Sequence, residues 1–350
     1  MNVASFSTWG AIGAKRRIAT RLKMIIQDRI YGKIIVNDRV IIDLINSAPL
    51  QRLKKIHQHG ASHFIKPVRN VTRFEHSIGV WYLSKLYKRS ITEQISCLLH
   101  DIPHTAFSHV IDHLMKDEQH EFHEKFHEKI ILNSEIPKIL KKHKIELRNV
   151  LNKERFELLD NTLPDISFDR FDYFMRDSYC EGFLTKSLIL NFMNEVKIRK
   201  FGSKYVLYFK NSRLAAIFAI LFMSCSRLMW LDPESHASAN FLAHAIKISL
   251  KRKIIDEDDL FTNDDFLMDK MLKSKEKEVL VYLNKLKPKN KYVYVKKKDA
   301  EYYGSNKPRF VDPLVFNGNK FSRISELVPS LKYYFEEFTQ NYKMLGVKQA

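Results

Sequence analysis

Apolar side chains recur at helical spacing along most of the chain, whereas strand-like alternation is scarce. Alternation is confined to short stretches such as YGKIIV (31–36) and KYVLYFK (204–210). The pattern therefore predicts a mainly α fold with one or two small β-hairpins. The longest periodic segments predict helices over 77–88, 91–100, 121–140, 168–180 and 213–230.

The composition changes after about residue 250. Residues 251–308 are dense in lysine and acidic side chains, and KLKPKNKYVYVKKK (285–298) is the most basic stretch. FVDPLVF, from residue 310, then predicts a returning strand or turn before a last helix over 330–342. We therefore expect a basic N-terminal arm over 1–27, a core over 28–250 and a peripheral basic C-terminal subdomain over 251–350.

The most apolar run, LAAIFAILFMSC (214–225), is shorter than the roughly 20 residues that a bilayer crossing requires. It predicts a buried core helix, and we expect no membrane association. Cys97, Cys180 and Cys225 are scattered and odd in number, which argues against a disulfide framework and for a reducing compartment. With no evident secretory signal pattern, the expected location is the cytoplasm.

The chain is strongly basic, with 59 lysines and arginines against 40 acidic residues and a net charge of +19. Such a field attracts polyanions, so a nucleotide, a nucleic acid or an acidic surface is an expected partner. Solvated lysines without any partner explain the same charge equally well. Charge alone therefore leaves both interpretations open.

A polar stretch, HEFHEKFHEK (120–129), contains an H-E-x-x-H match formed by His123, Glu124 and His127. In zinc proteases this spacing places two histidines on one helix face with the glutamate beside the metal. Such a site also needs a third ligand and an apolar helix, whereas this stretch is nearly all polar. A solvated polar helix face explains the pattern better than a zinc protease does.

Three further stretches concentrate histidine and aspartate: TRFEHS (72–77), HDIPHTAFSH (100–109) and FDRFDYFMRD (168–177). Imidazole and carboxylate together suit iron, manganese, nickel or zinc. His100 and Asp101 end an apolar helical run, where an ionised aspartate is costly to bury unless it is paired or bound to a cation. His104 follows four residues after His100, over the same helix face. Together these stretches predict a metal site.

These stretches resemble the HD-domain metal-dependent phosphohydrolases, and more narrowly their deoxynucleoside triphosphate triphosphohydrolase-like branch. QRLKKIHQHG, from Gln51, resembles the segment that leads into that branch's active site, and the similarity extends over roughly 28–250. The resemblance implies an HD-domain helical bundle and a divalent metal, which would be iron, manganese, nickel, zinc or magnesium. It also implies a homo-oligomer, either a dimer or a tetramer.

Residue by residue, the resemblance assigns roles in binding and catalysis. The implied metal ligands are His76, His100, Asp101 and Asp169. The implied catalytic residues are Arg73, His104 and His123, with His104 or His123 supplying a proton to the leaving oxygen. The implied substrate-binding residues are Gln58 for the nucleoside, Arg73, His109 and Arg170 for the phosphates, and Tyr173 and Asp177 for the sugar.

The reaction implied by the resemblance is hydrolysis of a deoxynucleoside triphosphate to deoxynucleoside and triphosphate. The same kind of site could instead hydrolyse a nucleoside monophosphate or a cyclic or signalling nucleotide. A third hypothesis is a nucleic-acid-binding protein with a regulatory HD core, since residues 285–298 and the N-terminal arm are basic.

The chain departs from the family pattern at three places. Pro103 stands where glycine is usual, which predicts that the HD helix ends or kinks before it. Asp232 and Pro233 interrupt a helix that is continuous in relatives. Asn46 and Lys54 replace the aspartate and arginine of nucleotide-regulated members, which argues against a guanine-specific activating site.

Overall fold

Helices dominate the computed structural model, which describes residues 23–111, 126–152 and 155–350. The fold is mainly α, as the hydrophobic periodicity predicts. The helices are α1 (Arg39–Ile45), α2 (Ala48–Arg52), α3 (Arg73–Leu86), α4 (Ile91–Leu99), α5 (His127–Leu132), α6 (Ile136–Lys142), α7 (Leu147–Leu151), α8 (Phe168–Cys180), α9 (Lys186–Glu195), α10 (Ser212–Cys225), α11 (Pro233–Lys251), α12 (Asp264–Lys273), α13 (Lys277–Asn284), α14 (Ile324–Leu327) and α15 (Pro329–Tyr342).

Short strands form three small sheets among the described residues. One sheet is the hairpin β1–β2, one has the order β3-β4-β7-β8 with β4 and β7 parallel, and one has the order β5-β9-β6. The sequence pattern predicts only one or two hairpins, because most of the other strands alternate too briefly to stand out. The strands are β1 (Met24–Asp28), β2 (Gly32–Val36), β3 (Val196–Phe201), β4 (Lys204–Phe209), β5 (Tyr292–Val295), β6 (Tyr302–Ser305), β7 (Leu314–Phe316), β8 (Phe321–Arg323) and β9 (Met344–Gln349).

Three central helices, α3, α4 and α8, pack together and carry the histidines and aspartates of the candidate site. Their first turns are fixed by side-chain caps: Thr72 for α3, Ser90 for α4 and Ser167 for α8. Thr72 and Glu75 form a reciprocal capping box, which starts α3 at Arg73, four residues before the predicted start. Helix α8 spans 168–180, as predicted.

One predicted helix is broken, and the chain leaves helical structure at both places where proline predicts it. The segment 121–140 contains α5 and α6 with a break at 133–135, and its first residues, 121–125, lie outside the described part of the chain. Helix α4 ends at Leu99, so the backbone has already left the helix before Pro103. Asp232 caps α11 by accepting the Ser235 amide at 2.7 Å, and Pro233 occupies its first turn. The predicted interruptions at Pro103 and Pro233 are therefore present.

Helix α10 and the π-helical turn after it, residues 226–230, form the most apolar segment. Together Ser212–Trp230 span 19 residues with a mean hydropathy of 1.5, which by length and composition suffices to cross a membrane. Core helices of soluble proteins pass the same test. Phe218 and Phe222 are buried, whereas Ile217 and Ile220 are exposed, so one face belongs to the core as predicted and the other does not.

Residues beyond 250 share hydrophobic clusters with the preceding part of the chain. Val315 and Phe335 belong to the same cluster as Phe171 and Phe218. A second cluster joins residues of α11 to Leu267, on α12, and Val347, on β9. The C-terminal region therefore completes both cores, and a separate subdomain over 251–350 stays a prediction.

A buried neutral histidine makes the stability of the protein depend on pH. His236 is 3% exposed and pairs with Asn306 at 2.9 Å, and burial lowers its pKa to about 4. In the unfolded chain it takes up a proton near pH 6.5. The stability that it contributes is therefore fully present above pH 6.5 and is lost as the pH falls toward 4.

Between pH 7.5 and pH 5, His236 is expected to account for a loss of about 2 kcal/mol in the free energy of unfolding. Urea unfolding of wild type and His236→Gln at both pH values measures this loss. The variant is expected to show a pH dependence smaller by about that amount. An unchanged pH dependence in the variant would contradict the assignment.

Candidate metal centre

Three helices bring three potential ligands to one point. His76 lies on α3, Asp169 lies in the first turn of α8, and His100 directly follows α4. The His76 Nε2 atom lies 2.9 Å from Asp169 Oδ1 and 3.3 Å from His100 Nε2. All three ligand atoms lie within 4.8 Å of one another, a spacing that a single ion can bridge.

The other ring nitrogens fix how the two imidazoles face this point. His76 Nδ1 donates to Asp172 Oδ2 at 2.8 Å, and His100 Nδ1 donates to the Cys97 carbonyl at 2.8 Å. In the neutral rings, the Nε2 lone pairs therefore face each other beside the Asp169 carboxylate. Lone pairs and a carboxylate converging in a buried place require a cation, so these residues fit a divalent metal.

Asp101 lies on the other side of the same cluster. Its carboxylate oxygens are 3.4 Å from His100 Nε2 and 3.8 Å from His76 Nε2. Burial opposes its ionisation, but Arg73 at 2.9 Å and the neighbouring His100 and His104 hold its pKa well below the usual range. The structure therefore brings all four predicted ligands together, with Asp101 as a carboxylate.

Protonation substitutes for a cation at His76. Burial opposes the charge, but hydrogen bonds to Asp169 and Asp172 and the charge of Asp101 outweigh burial and raise the pKa of His76 to about 10. The same contacts with His76 and His100 lower the pKa of Asp169 against the effect of burial. Binding of a divalent metal would therefore release a proton from this cluster.

Asp172 supports the metal cluster from behind, a role that sequence reasoning missed. It accepts two hydrogen bonds from Arg176, both at 2.9 Å, and one from the Tyr31 hydroxyl at 2.7 Å. Gly79 packs against this network, where any Cβ would overlap both Asp172 and Arg176. The signal in the sequence was the D-x-x-D spacing of α8, which places Asp172 one turn after Asp169.

Asp177 lies among the residues predicted to hold the sugar and nucleoside. Its carboxylate accepts hydrogen bonds from Gln58 Nε2 at 3.3 Å and from the Trp230 indole N–H at 3.0 Å, and His59 Nε2 lies 3.2 Å away. The Tyr173 ring lies edge-on to Trp230 at 5.2 Å. Gln58 Oε1 is buried without a hydrogen-bond partner among the described residues, and such an acceptor suits a ligand donor.

His59 and Trp230 were not predicted as contacts of Asp177. His59 directly follows Gln58, which was the signal that could have identified it. Trp230 ends the π-helical turn after α10, so its direction depends on a local irregularity that periodicity does not reveal.

The phosphate-side residues occupy two kinds of position. Arg73 donates to Ser108 Oγ at 3.0 Å and to Asp101, so its guanidinium lies directly beside the metal ligands. His104 lies 3.2 Å from Asp101, and the His109 ring meets the His104 ring edge-on at 5.0 Å. These three residues line one side of the cluster.

Arg170 differs from the other predicted phosphate ligands. Its terminal nitrogens donate to the side chain and carbonyl of Asn161 and to the Asp165 carbonyl. A phosphate would have to compete with these partners.

His123 lies outside the described residues. The second histidine of the H-E-x-x-H match, His127, is buried with Nε2 3.3 Å from the Leu99 carbonyl, at the end of the HD helix.

A second cluster contains His57, His63 and Asp264. Its ligand atoms lie close enough together to hold a metal ion, but their contacts and orientation indicate a structural role. Asp264 accepts the backbone amides of His57 at 2.8 Å and Phe107 at 2.6 Å. The two imidazole rings stack at 3.7 Å with their planes 14° apart. In-plane lone pairs of parallel rings do not converge on one ion, so this cluster anchors the loop at Phe107.

Comparison with known proteins identifies a known domain in the region that contains the candidate metal centre. A family model for the HD domain matches residues 73–177, which include all four predicted ligands. The chain is 34% identical over 323 residues to the uncharacterized protein YdhJ of Bacillus subtilis, covering 91% of this chain and 97% of that protein. A structure of a hypothetical protein from Aquifex aeolicus shares the fold, with a TM-score of 0.71 and 21% identity over 94% of this chain and 96% of that chain.

Two relatives with descriptive names match over shorter segments. The metal-dependent phosphohydrolase cns2 of Cordyceps militaris is 39% identical over 160 residues, 45% of this chain and 46% of that protein. A deoxynucleoside triphosphate triphosphohydrolase SAMHD1 homolog from Dictyostelium discoideum is 28% identical over 208 residues, 50% of this chain and 39% of that protein. The chain thus spans less than half the length of each.

Proposed function

Because the chain belongs to the HD-domain family of metal-dependent phosphohydrolases, we propose that it hydrolyses deoxynucleoside triphosphates to deoxynucleosides and triphosphate. The observation that carries the proposal is the proximity of two groups of side chains. The Tyr173 ring contacts Trp230, which donates to Asp177, and lies 6.4 Å from the ring of His76 in the metal cluster. A nucleotide with its sugar at Asp177 would present its phosphates to the metal cluster.

The residues on the phosphate side can bind and neutralise negative charge. A divalent cation held by His76, His100, Asp101 and Asp169 would supply Lewis acidity toward a phosphate oxygen and an activated water. Arg73, which is 5% exposed, offers a planar fork that can neutralise charge developing on the phosphate. His104 lies 3.2 Å from Asp101, beside the metal cluster, and would supply a proton to the leaving oxygen. His123 stays a second candidate for that role.

The nucleoside side supports a sugar with hydrogen-bonding hydroxyls. Asp177 and the buried Gln58 Oε1 are acceptors, and the rings of Tyr173 and Trp230 provide an apolar wall beside them. Deoxynucleoside triphosphate as the substrate also draws support from the name of the Dictyostelium relative. A nucleoside monophosphate or a cyclic nucleotide would use the same metal ligands, and these substrates are the alternative.

Separation of reaction products tests the substrate. The purified protein is incubated with each deoxynucleoside triphosphate and a divalent metal, and products are resolved by anion exchange. Equimolar deoxynucleoside and intact triphosphate are the expected result. Turnover of a monophosphate or cyclic nucleotide, with no release of triphosphate, would contradict the proposed substrate while leaving the phosphohydrolase site in place.

A further inference from the structure

Arg52, at the end of α2, is a partly buried cation whose hydrogen bonds go to backbone carbonyls. Nη1 donates to the carbonyls of Phe261 and Thr262 at 3.1 and 2.9 Å. Nη2 donates to the carbonyls of Ile102 and His104 at 2.5 and 2.9 Å. Burial lowers the pKa of Arg52 to about 10, and only the charge of Asp264 acts to raise it. Keeping a positive charge at this place is therefore costly.

One pair of these carbonyls belongs to the metal loop, defined as residues 101–104. Asp101 is a predicted ligand, and the chain has left helix α4 at Leu99. Carbonyls beyond a helix end need donors from outside the helix. Pro103 has no amide hydrogen to donate within the loop. The guanidinium of Arg52 instead donates to the carbonyls on both sides of Pro103.

The other pair belongs to the segment 258–264, which follows α11 and ends at the first residue of α12. This segment holds the chain after the metal loop at two more places: the Leu260 carbonyl accepts the Ala106 amide at 2.8 Å, and Asp264 accepts the Phe107 amide. Phe107 and Ser108 have φ angles of +60° and +53°, which non-glycine residues keep only where surroundings impose them. The loop therefore has its shape because it is tied to this segment.

We propose that Arg52 is a positioning residue for the metal centre. It fixes the metal loop against residues 261–262 and thereby holds Asp101 among the predicted metal ligands. The role requires donors that lie in one plane and point in two different directions, which a guanidinium has and an ammonium lacks. The inference concerns metal binding and does not depend on which nucleotide is hydrolysed.

Binding of Mn²⁺ to metal-stripped protein tests this role directly. Arg52→Met keeps an unbranched stem of similar thickness but removes all the donors, and we expect it to weaken Mn²⁺ binding by about 10- to 100-fold, as loss of groups that orient ligands does. Electron paramagnetic resonance of free Mn²⁺ gives the affinity without any turnover. Thermal unfolding of the same sample reports whether the fold persists.

Chemical rescue separates positioning from general stability. A cleft of about 760 Å³, lined in part by Arg52, Phe126 and Phe261, gives small molecules access to the position of the guanidinium. Ethylguanidinium is expected to restore Mn²⁺ affinity to Arg52→Ala, because it replaces the missing donors. Ethylammonium at the same concentration is expected to restore much less. Equal effects of the two cations would overturn the proposal.

Arg69→Met is the control at a second arginine, which is fully buried. Arg69 donates to Asp232, Ser235 and Glu181. Glu181 lies 12 residues beyond Asp169 along α8, or about 18 Å at 1.5 Å per residue. This variant is expected to lose stability but to keep wild-type Mn²⁺ affinity.

Wild-type Mn²⁺ affinity in folded Arg52→Met, or an equal loss of affinity in Arg69→Met, would overturn the proposal. Should Arg52→Met fail to fold, Arg52→Lys is measured in its place. Wild-type affinity in Arg52→Lys would then overturn it, since one ammonium cannot serve both pairs of carbonyls.

Discussion

Asp169→Asn is expected to abolish stoichiometric metal binding and to lower phosphohydrolase turnover by about 10³-fold or more. The substitution removes the negative charge 2.9 Å from His76 Nε2, and an amide is a far poorer ligand for a divalent cation. Loss of the metal removes several kcal/mol of transition-state stabilisation, and each 1.36 kcal/mol is worth about tenfold in rate. Plasma mass spectrometry of the purified protein and steady-state turnover give the two readouts.

Asp165→Asn provides the matched control, four residues earlier in the chain. Asp165 pairs with Arg323 and is not among the predicted ligands, so the same change of charge there is expected to leave metal content unchanged. Full metal occupancy in Asp169→Asn would show that the ion is bound elsewhere. Turnover at the wild-type rate without metal would remove the metal centre from the mechanism.

Arg176→Met is expected to lower the free energy of unfolding by about 3–5 kcal/mol. Arg176 is fully buried and joins two buried carboxylates, with Asp172 bound through two hydrogen bonds and Asp28 through one at 2.9 Å. Removing the cation leaves both carboxylates without compensation in a place that water does not reach. Urea unfolding at neutral pH measures the loss.

The same substitution at an exposed arginine is the comparison. The Arg148 side chain is 84% exposed and lies 3.8 Å from Glu146, so Arg148→Met is expected to change stability by less than about 1 kcal/mol. Equal effects at the two positions would show that the buried pair contributes nothing beyond the loss of an arginine.

Because Asp172 also orients His76, Arg176→Met should additionally weaken metal binding.

Local signals predicted the parts of the site that lie within single helices. Helix α8 has the boundaries expected from its periodicity, because Ser167 caps it and its apolar face is continuous. The residues His76, His100 and Asp169 converge as the family resemblance implied, although their function as ligands stays a prediction. The orienting role of Asp172 was not predicted, since one aspartate of a D-x-x-D pair looks like the other until the packing is known.

Contacts between distant segments could not be predicted from the sequence. Arg52 in the QRL segment has no local feature that indicates four carbonyl partners, two of which lie more than 200 residues away. The return of the C-terminal region into the core likewise depends on pairing between segments whose own patterns are weak. A lysine-rich composition over 251–308 suggested a peripheral region, because charge density reports the exposed face and not the few apolar residues beneath it.

The parallel pairing of β4 with β7 has a consequence for synthesis of the protein. Phe209 pairs with Val315, about a hundred residues later, and both pack in the cluster that contains Phe171. A ribosome that adds about 5–20 residues per second needs roughly 5–20 s to supply that partner. During this interval the nascent chain presents an unpaired strand edge and uncovered aromatic side chains, which makes this the period when chaperone binding would matter most.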